Sequence, residues 1–285
     1  MSYYQEFRPR SFNTLPPVIK NLLIINILMF AAKLVFHESL GIDLDSILGL
    51  HYFSAPDFKP YQFVTYLFMH GDLMHLFFNM FAVWMFGSVL ENVWGQKRFL
   101  IYYLVTGFGA ALIQYLVFYF QINPVIESVS LVQNNLTVSS FEELVNTAEF
   151  QTKFSREFIF QYSTFADAYN SALQESPEKA LSLASQFLID FKHQYLNSHI
   201  VIGASGSLFG LLLAFGMMFP NTLLYIYFLI PLKAKWFVLI YGAIELFSGL
   251  QSNPEDNVAH FAHLGGMLFG FILIMIWKKQ RNQFY

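Results

Sequence analysis

The sequence predicts an all-α membrane protein in which six helices cross the bilayer. Of its 285 residues, 55% are hydrophobic and 12% are charged, and its 34 Phe and 16 Tyr exceed what a soluble core of this size uses. Six apolar stretches each approach the ~20 residues that a helix needs to cross the hydrocarbon layer. These stretches are residues 18–36, 72–90, 99–120, 200–219, 232–250 and 258–277.

Two of the stretches need closer interpretation. Residues 18–36 follow a polar segment without a convincing small-residue cleavage site, so we interpret them as a membrane helix and not as a cleaved signal peptide. In the fifth stretch the apolar run begins earlier, at Leu223, and is broken by Pro231 and Lys233. Residues 223–230 are therefore expected to lie at the membrane interface.

The basic residues predict the orientation of the bundle. When the six stretches alternate in direction, ten of the 16 Lys and Arg residues fall on one side. These are Arg8, Arg10, Lys20, Lys97, Arg98, Lys233, Lys235, Lys278, Lys279 and Arg281. Because short cytoplasmic connections carry an excess of basic residues, both termini are expected in the cytoplasm. We expect a multi-pass protein of a bacterial inner or plasma membrane.

One sizeable polar region, residues 121–199, separates the third and fourth stretches, and the topology puts it on the external side. Apolar residues recur there at intervals of three or four, which predicts two or three amphipathic helices. Ser139 and Ser140, which precede acidic residues, are expected to cap one of them. A solvated insert with a small core of its own and a substrate-binding cap both remain open.

Charge and cysteine content exclude several functions. The net charge is −3 and the basic residues form no extended cluster, so nucleic acid is not an expected partner. The absence of Cys excludes disulfides, thiolate metal sites and cysteine nucleophiles. Chemistry based on serine, threonine, histidine or a carboxylate remains.

Polar side chains inside membrane helices are costly and suggest function. Ser205 lies ~8 Å along the fourth stretch, His263 ~8 Å along the sixth, and His75 and Asn79 ~5 to 10 Å along the second, at 1.5 Å per residue. All three stretches begin on the external side. Because these side chains fall at a similar depth, the sequence predicts a shared site that opens to the external surface.

Helical spacing suggests a role for each residue. Ser205 is the candidate nucleophile and His263 its general base. His75 and Asn79 are four residues apart on one helix face and can both donate hydrogen bonds to an oxyanion, aided by the backbone N–H of Ser205. Since no membrane-embedded Asp or Glu is well placed to orient His263, a Ser-His dyad is expected in place of a triad.

Four motifs of the chain carry a resemblance to a known family. They are His75-Leu76-Phe77-Phe78-Asn79, Gly87-xxx-Glu91-xxx-Gly95, Gly203-Ala204-Ser205-Gly206 and Ala262-His263-Leu264-Gly265-Gly266-Met267-Leu268-Phe269-Gly270. In this order they resemble the motifs of the rhomboid family of intramembrane serine proteases, which hydrolyse peptide bonds in or near the transmembrane segments of other membrane proteins.

The resemblance implies a rhomboid-like membrane domain over residues 1–285, interrupted by the insert at 121–199. It implies Ser205 as nucleophile, His263 as general base and His75 with Asn79 as oxyanion donors. The expected partners are transmembrane protein substrates and the lipid bilayer, and no cofactor is expected. The chain departs from the family in lacking a Trp-Arg pair after the first stretch and in the length of its insert.

Other readings stay open. The small residues around Ser205 can serve only to pack this helix against a neighbour. His75 and Asn79 can serve only to form hydrogen bonds between helices. His260 is interpreted as a solvated residue at the mouth of the site and Glu91 as structural. A catalytically silent rhomboid-like protein that binds client transmembrane helices is the main alternative, and a small transporter is a second.

Metal catalysis is not expected. His70 and His75 are five residues apart and point roughly 140° apart on a regular helix, so they cannot readily share an ion. The chain also lacks a His-Glu-x-x-His sequence, and its predicted membrane stretches offer no carboxylate pair for an aspartyl protease.

Overall fold

A computed structural model describes residues 12–147, 150, 156–226, 229–251 and 258–281. Arg8 and Arg10 lie outside the described residues, as does the side chain of Arg281. The elements, in chain order, are α1 (Pro17–Leu40), α2 (Leu44–Leu48), β1 (Leu50–His51), α3 (Gln62–Thr65), a 3-10 turn (Tyr66–Phe68), α4 (Leu73–Trp94), α5 (Gln96–Asn134), α6 (Val138–Val145), α7 (Arg156–Glu175), α8 (Pro177–Asn197), β2 (Ile200–Val201), α9 (Ser205–Met218), β3 (Leu223–Ile226), β4 (Ile230–Lys233), α10 (Ala234–Gln251) and α11 (His260–Arg281).

The described helices include four that are long and apolar enough to cross a membrane. They are α1, α4, α5 and residues His260–Lys279 of α11. The apolar helix α9 has only 14 residues, which span ~21 Å of a hydrocarbon layer ~30 Å thick. The chain is therefore a helical membrane protein, and the crossings predicted for 200–219 and 232–250 remain predictions.

Packing divides the chain into two compact units. The first contains Met1–Gly49, Phe63–Gln114 and Val201–Tyr285, and the second contains Leu50–Gln62 and Tyr115–Ile200. The second unit has an aromatic core in which Phe165 and Phe187 stack with ring centroids 4.2 Å apart. Phe141 packs edge-on against both rings.

The third predicted stretch ends later than expected. Its helix α5 continues past residue 120 and through Pro124 to Asn134. A proline inside a helix costs about 3 kcal/mol because it lacks an N–H and crowds the preceding turn. Ile122, Val125 and Val129 are buried on this part of the helix, and each buried side chain contributes roughly 1.5–3 kcal/mol, which exceeds that cost.

The next helix, α6, is capped by a different residue from the one predicted. Thr137 is the N-cap, and its hydroxyl accepts the backbone N–H of Ser140 at 3.1 Å. The Ser140 hydroxyl accepts the backbone N–H of Thr137 in return. Ser139 was therefore wrongly predicted as part of the cap, whereas Ser140 takes part in it as the third helical residue, paired with Thr137.

Strands β3 (Leu223–Ile226) and β4 (Ile230–Lys233) form an antiparallel pair, which the sequence did not predict. In its register Leu223 pairs with Lys233 and Ile226 with Ile230. Pro231 interrupts any helix here, and the strand pairing satisfies backbone groups that the helix would otherwise satisfy. The following helix, α10, begins at Ala234.

The fourth predicted helix begins five residues later than expected. Ile200 and Val201 form a strand, and Gly203 has a φ of +117°, which a right-handed helix cannot contain. Ser205 is therefore the first residue of α9 and not one turn inside it. The estimate that Ser205 lies ~8 Å along its helix was wrong for this reason.

Glycines allow α9 and α11 to come into direct backbone contact. A Cβ built on Gly266 would collide with the carbonyl oxygen of Gly206. A Cβ on Gly206 would collide with Ala110 of α5, and one on Gly210 would lie 2.6 Å from Thr106. Helices α5, α9 and α11 therefore pack so closely that these glycine positions have no room for a side chain, as in small-residue membrane interfaces.

Glu91 joins α4 to the start of α1. Its carboxylate is buried and accepts the backbone N–H groups of Val18 at 3.0 Å and Ile19 at 2.9 Å. These N–H groups belong to the first turn of α1, which has no partner for them within the helix. Glu91 is thus a structural residue, as the sequence suggested.

We expect Gly266→Ala to destabilise the protein by roughly 1–3 kcal/mol, because the added methyl group forces α11 away from Gly206. Alanine normally stabilises a helix interior relative to glycine, so a loss has the opposite sign from helix propensity. Thermal unfolding in detergent measures the change.

Gly242→Ala is the matched control. Its Cβ would meet only the flexible end of Met267, with Cε at 3.3 Å and Sδ at 3.5 Å. We expect this variant to be as stable as the native protein or more stable. Equal stability of both variants would contradict the inferred contact of α9 with α11.

Candidate active site

Ser205 and His263 lie within hydrogen-bond distance. Ser205 Oγ is 2.9 Å from Nε2 of His263, although the two residues are 58 positions apart and belong to α9 and α11. The His263 side chain is buried, whereas Ser205 is partly exposed. The structure thus brings the two residues that the sequence predicted as nucleophile and base to one point.

Glu245 of α10 lies on the other side of the same imidazole. Its Oε2 is 2.8 Å from Nδ1 of His263, and its side chain is 9% exposed. A carboxylate at this position accepts the Nδ1–H and leaves the Nε2 lone pair directed at the serine hydroxyl. The expectation that no carboxylate orients His263 was wrong.

The sequence contained a signal for Glu245. It is the single acidic residue in the predicted stretch 232–250, and an acidic residue in a membrane helix suggests function. Its spacing from His263 spans two different helices, so helical periodicity gave no indication that the two side chains meet.

His260 shares the same carboxylate oxygen. Its Nδ1 lies 2.7 Å from Oε2 of Glu245, and its side chain is 13% exposed. The interpretation of His260 as a solvated residue was therefore wrong, because its ring is mostly buried and contacts Glu245. One buried carboxylate oxygen accepts from two imidazoles.

Aromatic rings fix the plane of His263. The Phe209 ring stacks on it with centroids 4.2 Å apart and planes 6° from parallel. Tyr241 of α10 in turn stacks with Phe209, with ring centroids 5.4 Å apart. Phe209 holds the imidazole by stacking alone, because a phenyl ring has no hydroxyl.

His75 and Ser205 border a small space beside Gly203. A Cβ on Gly203 would lie 3.1 Å from Nε2 of His75 and 3.7 Å from Oγ of Ser205. With its φ of +117°, Gly203 occupies a conformation that L side chains rarely adopt. The backbone therefore both requires glycine and keeps this space clear of a side chain.

The hydrogen bonds of His75 favour a donor facing that space. Its Nδ1 accepts the backbone N–H of Gly71 at 3.5 Å, which leaves the proton of the neutral ring on Nε2. Asp72 caps α4 by accepting the backbone N–H of His75 at 2.9 Å. Both contacts hold His75 at the first turn of its helix.

Asn79 is buried, with 5% of its surface exposed. Among the described residues its Nδ2 has no hydrogen-bond partner. An unpaired buried donor costs about 1–3 kcal/mol, so it is uncommon unless it has a function. This donor belongs to the same helix face as His75, one turn away.

Lys33 anchors the segment before α4. Its ammonium donates to the carbonyl oxygens of His70 and Gly71, both at 2.8 Å, and forms an ion pair with Asp45 at 2.5 Å. These contacts hold the connection between α1 and α4, in which this chain has no Trp-Arg pair. Burial lowers the pKa of His70 to about 3, so this ring adds no positive charge beside His75.

The second serine of α9, Ser207, has a structural role. Its hydroxyl is buried and donates to the backbone carbonyl of Tyr103 at 2.8 Å. It thereby joins α9 to α5.

Comparisons with known proteins agree with the fold and the motifs. A family model described as the Rhomboid domain matches residues 57–122 and 179–280, which is more than half of the chain. The part that it leaves between these ranges, 123–178, lies within the predicted insert. The first matched range contains His75 and Asn79, and the second contains Ser205 and His263.

Three relatives share shorter regions with the chain. Rhomboid-like protein 11, chloroplastic, from Arabidopsis thaliana is 35% identical over 86 residues, which cover 27% of this chain and 31% of that protein. RHOMBOID-like protein 6, mitochondrial, from the same plant is 36% identical over 55 residues, covering 19% and 18%. Uncharacterized rhomboid protein P4H10.10, mitochondrial, from Schizosaccharomyces pombe is 31% identical over 86 residues, covering 28% and 22%.

The chain thus spans less than a third of the length of each of these relatives. The family match confirms the resemblance read from the four motifs. This chain belongs to the rhomboid family.

Proposed function

We propose that the protein is an intramembrane serine protease that hydrolyses peptide bonds in or near the transmembrane segments of membrane-protein substrates. The supporting observation is the line of polar atoms from Ser205 through His263 to Glu245, with separations of 2.9 and 2.8 Å. A catalytically inactive protein that only binds client transmembrane helices would not need these three polar side chains in a hydrogen-bonded row. Family membership supports the same reaction.

Acylation begins at Ser205. His263 Nε2 takes the hydroxyl proton while Oγ attacks the carbonyl carbon of the scissile peptide. The imidazolium then gives this proton to the leaving amine, and the acyl-enzyme forms. In the second half-reaction the neutral His263 takes a proton from the attacking water. It returns this proton to Oγ of Ser205 as the bond from Oγ to the acyl carbon breaks, which releases the acid product.

Glu245 is proposed as a positioning residue. It holds the proton of His263 on Nδ1 and stabilises the imidazolium that forms during acylation. Because the carboxylate is buried among helices, its interaction with that charge is stronger than it is in water. The catalytic group is accordingly a triad in geometry, in place of the dyad expected from the sequence.

The oxyanion is proposed to occupy the space beside Gly203. His75 Nε2–H borders this space, and the unpartnered Nδ2 of Asn79 supports a second donor. The N–H groups of the first turn of α9 add a third source, since Ala204 provides no side-chain cap and the helix dipole favours negative charge there.

The membrane arrangement is proposed to include α9 and α10 as the fourth and fifth of six crossings. If the end of α9 reaches the cytoplasmic interface, its ~21 Å length puts Ser205 roughly 10 Å below the external surface. The non-helical backbone before it then has to line a water-filled cavity. The termini are cytoplasmic and residues 121–199 form the external insert in this arrangement.

The host membrane has two candidates. The matched relatives are named as chloroplastic or mitochondrial proteins, whereas the sequence favoured a bacterial inner or plasma membrane. Fractionation of the source cells, with detection of this chain, distinguishes them.

We expect Ser205→Ala and His263→Ala each to reduce cleavage of a model transmembrane substrate by at least about 10³-fold, because each removes an essential proton-transfer partner. Cleavage in proteoliposomes measures the rate, and thermal unfolding verifies that the variants fold. Ser128→Ala, at an exposed position outside the site, serves as the control and should keep full activity. Native rates for either site variant would contradict the proposal.

Asn79→Ala should lower kcat by about 10²-fold with little change in KM, as expected for the loss of one oxyanion donor. Because Nδ2 makes no hydrogen bond among the described residues, the free energy of unfolding should change less than for a packed hydrogen-bonded Asn. A variant with unchanged kcat and a lowered unfolding temperature would assign Asn79 to helix packing.

Glu245→Gln should reduce kcat by about 10²- to 10⁴-fold, because a neutral amide stabilises the imidazolium poorly and also offers an N–H₂ that favours the wrong tautomer. The matched control is Glu143→Gln, at an exposed site in α6. Steady-state kinetics compare the two. A Glu245→Gln enzyme with the native kcat would leave the carboxylate a structural role only.

A further inference from the structure

Glu245, His260 and His263 form a cluster of three metal-binding side chains. Each residue offers one ligand atom, and these three atoms lie within 4.8 Å of one another. Two of the separations are 2.7 and 2.8 Å, because the two imidazoles meet the same carboxylate oxygen. This cluster is distinct from the His70 and His75 pairing considered above, which contributes nothing to it.

The donor set suits a zinc-like divalent cation. Two imidazole nitrogens and one carboxylate oxygen are a common set of three protein ligands for Zn²⁺, with a fourth position left for water. Bonds of about 2.0–2.1 Å require tetrahedral donors roughly 3.3 Å apart. The two oxygen–nitrogen pairs therefore have to open by only about half an ångström.

The local structure positions these donors before any ion enters. His260 and His263 are three residues apart on α11, so they share a helix face toward α10. Stacking by Phe209 fixes the plane of the His263 ring. The side chains of Glu245 and His263 are 9% and 10% exposed, and His260, at 13%, borders the more accessible edge.

We propose that this cluster binds a zinc-like divalent cation reversibly and that the bound cation inhibits proteolysis. The inhibition rests on the proposed function, whereas the binding does not. The cation takes Nδ1 of His263, and the displaced proton is balanced by one taken up at Nε2, so the ring stays neutral. Nε2 then donates to Ser205 and cannot accept the serine proton.

The geometry makes the cation an inhibitor and not a Lewis acid for the reaction. It would lie beyond Nδ1, on the opposite edge of the imidazole from Ser205. The sum of the ring width, a metal bond of about 2 Å and the serine contact puts it roughly 6–7 Å from Oγ. A substrate carbonyl attacked by Oγ is therefore out of its reach.

Binding is tested with Co²⁺ on the catalytically inactive Ser205→Ala protein, purified without a polyhistidine tag and stripped of metal. We expect one saturable site with the visible absorption of four- or five-coordinate Co²⁺, which Zn²⁺ displaces. Adding His260→Ala should weaken binding at least about 10-fold, whereas adding His193→Ala, at an exposed histidine of α8, should not. Absence of the saturable site overturns the proposal.

A second variant distinguishes loss of the cation site from misfolding. His260→Gln keeps a polar partner for Glu245 but lacks an imidazole. We expect Zn²⁺ to raise the unfolding temperature of Ser205→Ala and not that of Ser205→Ala with His260→Gln. An equal rise in both proteins overturns the site.

Inhibition is tested on the otherwise native enzyme. Micromolar Zn²⁺ should suppress cleavage, EDTA should restore it, and His260→Gln should raise the half-inhibitory concentration at least about 10-fold. Binding without inhibition of an active enzyme overturns the inhibitory role. If the native protein cleaves no substrate, the proposed protease function fails, and the Co²⁺ titration still decides whether the cation site exists.

Discussion

The backbone contact between α9 and α11 is the constraint on which the site depends. Gly206 and Gly266 face each other without side chains, so the carbonyl of one occupies the position that a Cβ of the other would need. Ser205 immediately precedes Gly206, and His263 lies one turn before Gly266. Helices carrying larger side chains stay 8–10 Å apart along their axes, and a short Ser side chain then cannot reach a ring on its neighbour. The 2.9 Å contact of Oγ with Nε2 is a direct consequence of this close approach.

Glu245 is the second requirement, and its burial has a cost. A carboxylate removed from water is tolerated when hydrogen-bond donors surround it, and here two imidazoles donate to one oxygen. His260 thus supports the carboxylate, and the carboxylate supports His263. This dependence connects the two proposals. The contacts that orient the base also bring together three donor atoms suited to a cation.

Sequence reasoning identified Ser205, His263, His75 and Asn79 because each is a polar residue in or beside an apolar stretch, and because local spacing determines which residues share a helix face. It identified α1, α4, α5 and α11 because their stretches are long and apolar enough to cross a membrane. It missed the start of α9, because hydropathy does not reveal the backbone conformation of Gly203, which prevents the helix from starting before that residue. It missed the pairing of β3 with β4, because a short apolar run does not distinguish a strand from a helix. It also missed the extension of α5, where burial outweighs the cost of Pro124. Glu245 escaped because contacts between two helices have no period in the sequence.

Labelling with a fluorophosphonate, followed by mass spectrometry of the modified peptide, tests the central claim most directly. Such a probe forms a stable phosphoryl adduct only on a serine whose hydroxyl is activated by a base. The account predicts one adduct, on Ser205, that is lost in His263→Ala while the folded protein remains. An adduct on another serine, or labelling of Ser205 that is as fast without His263 as with it, would contradict the account.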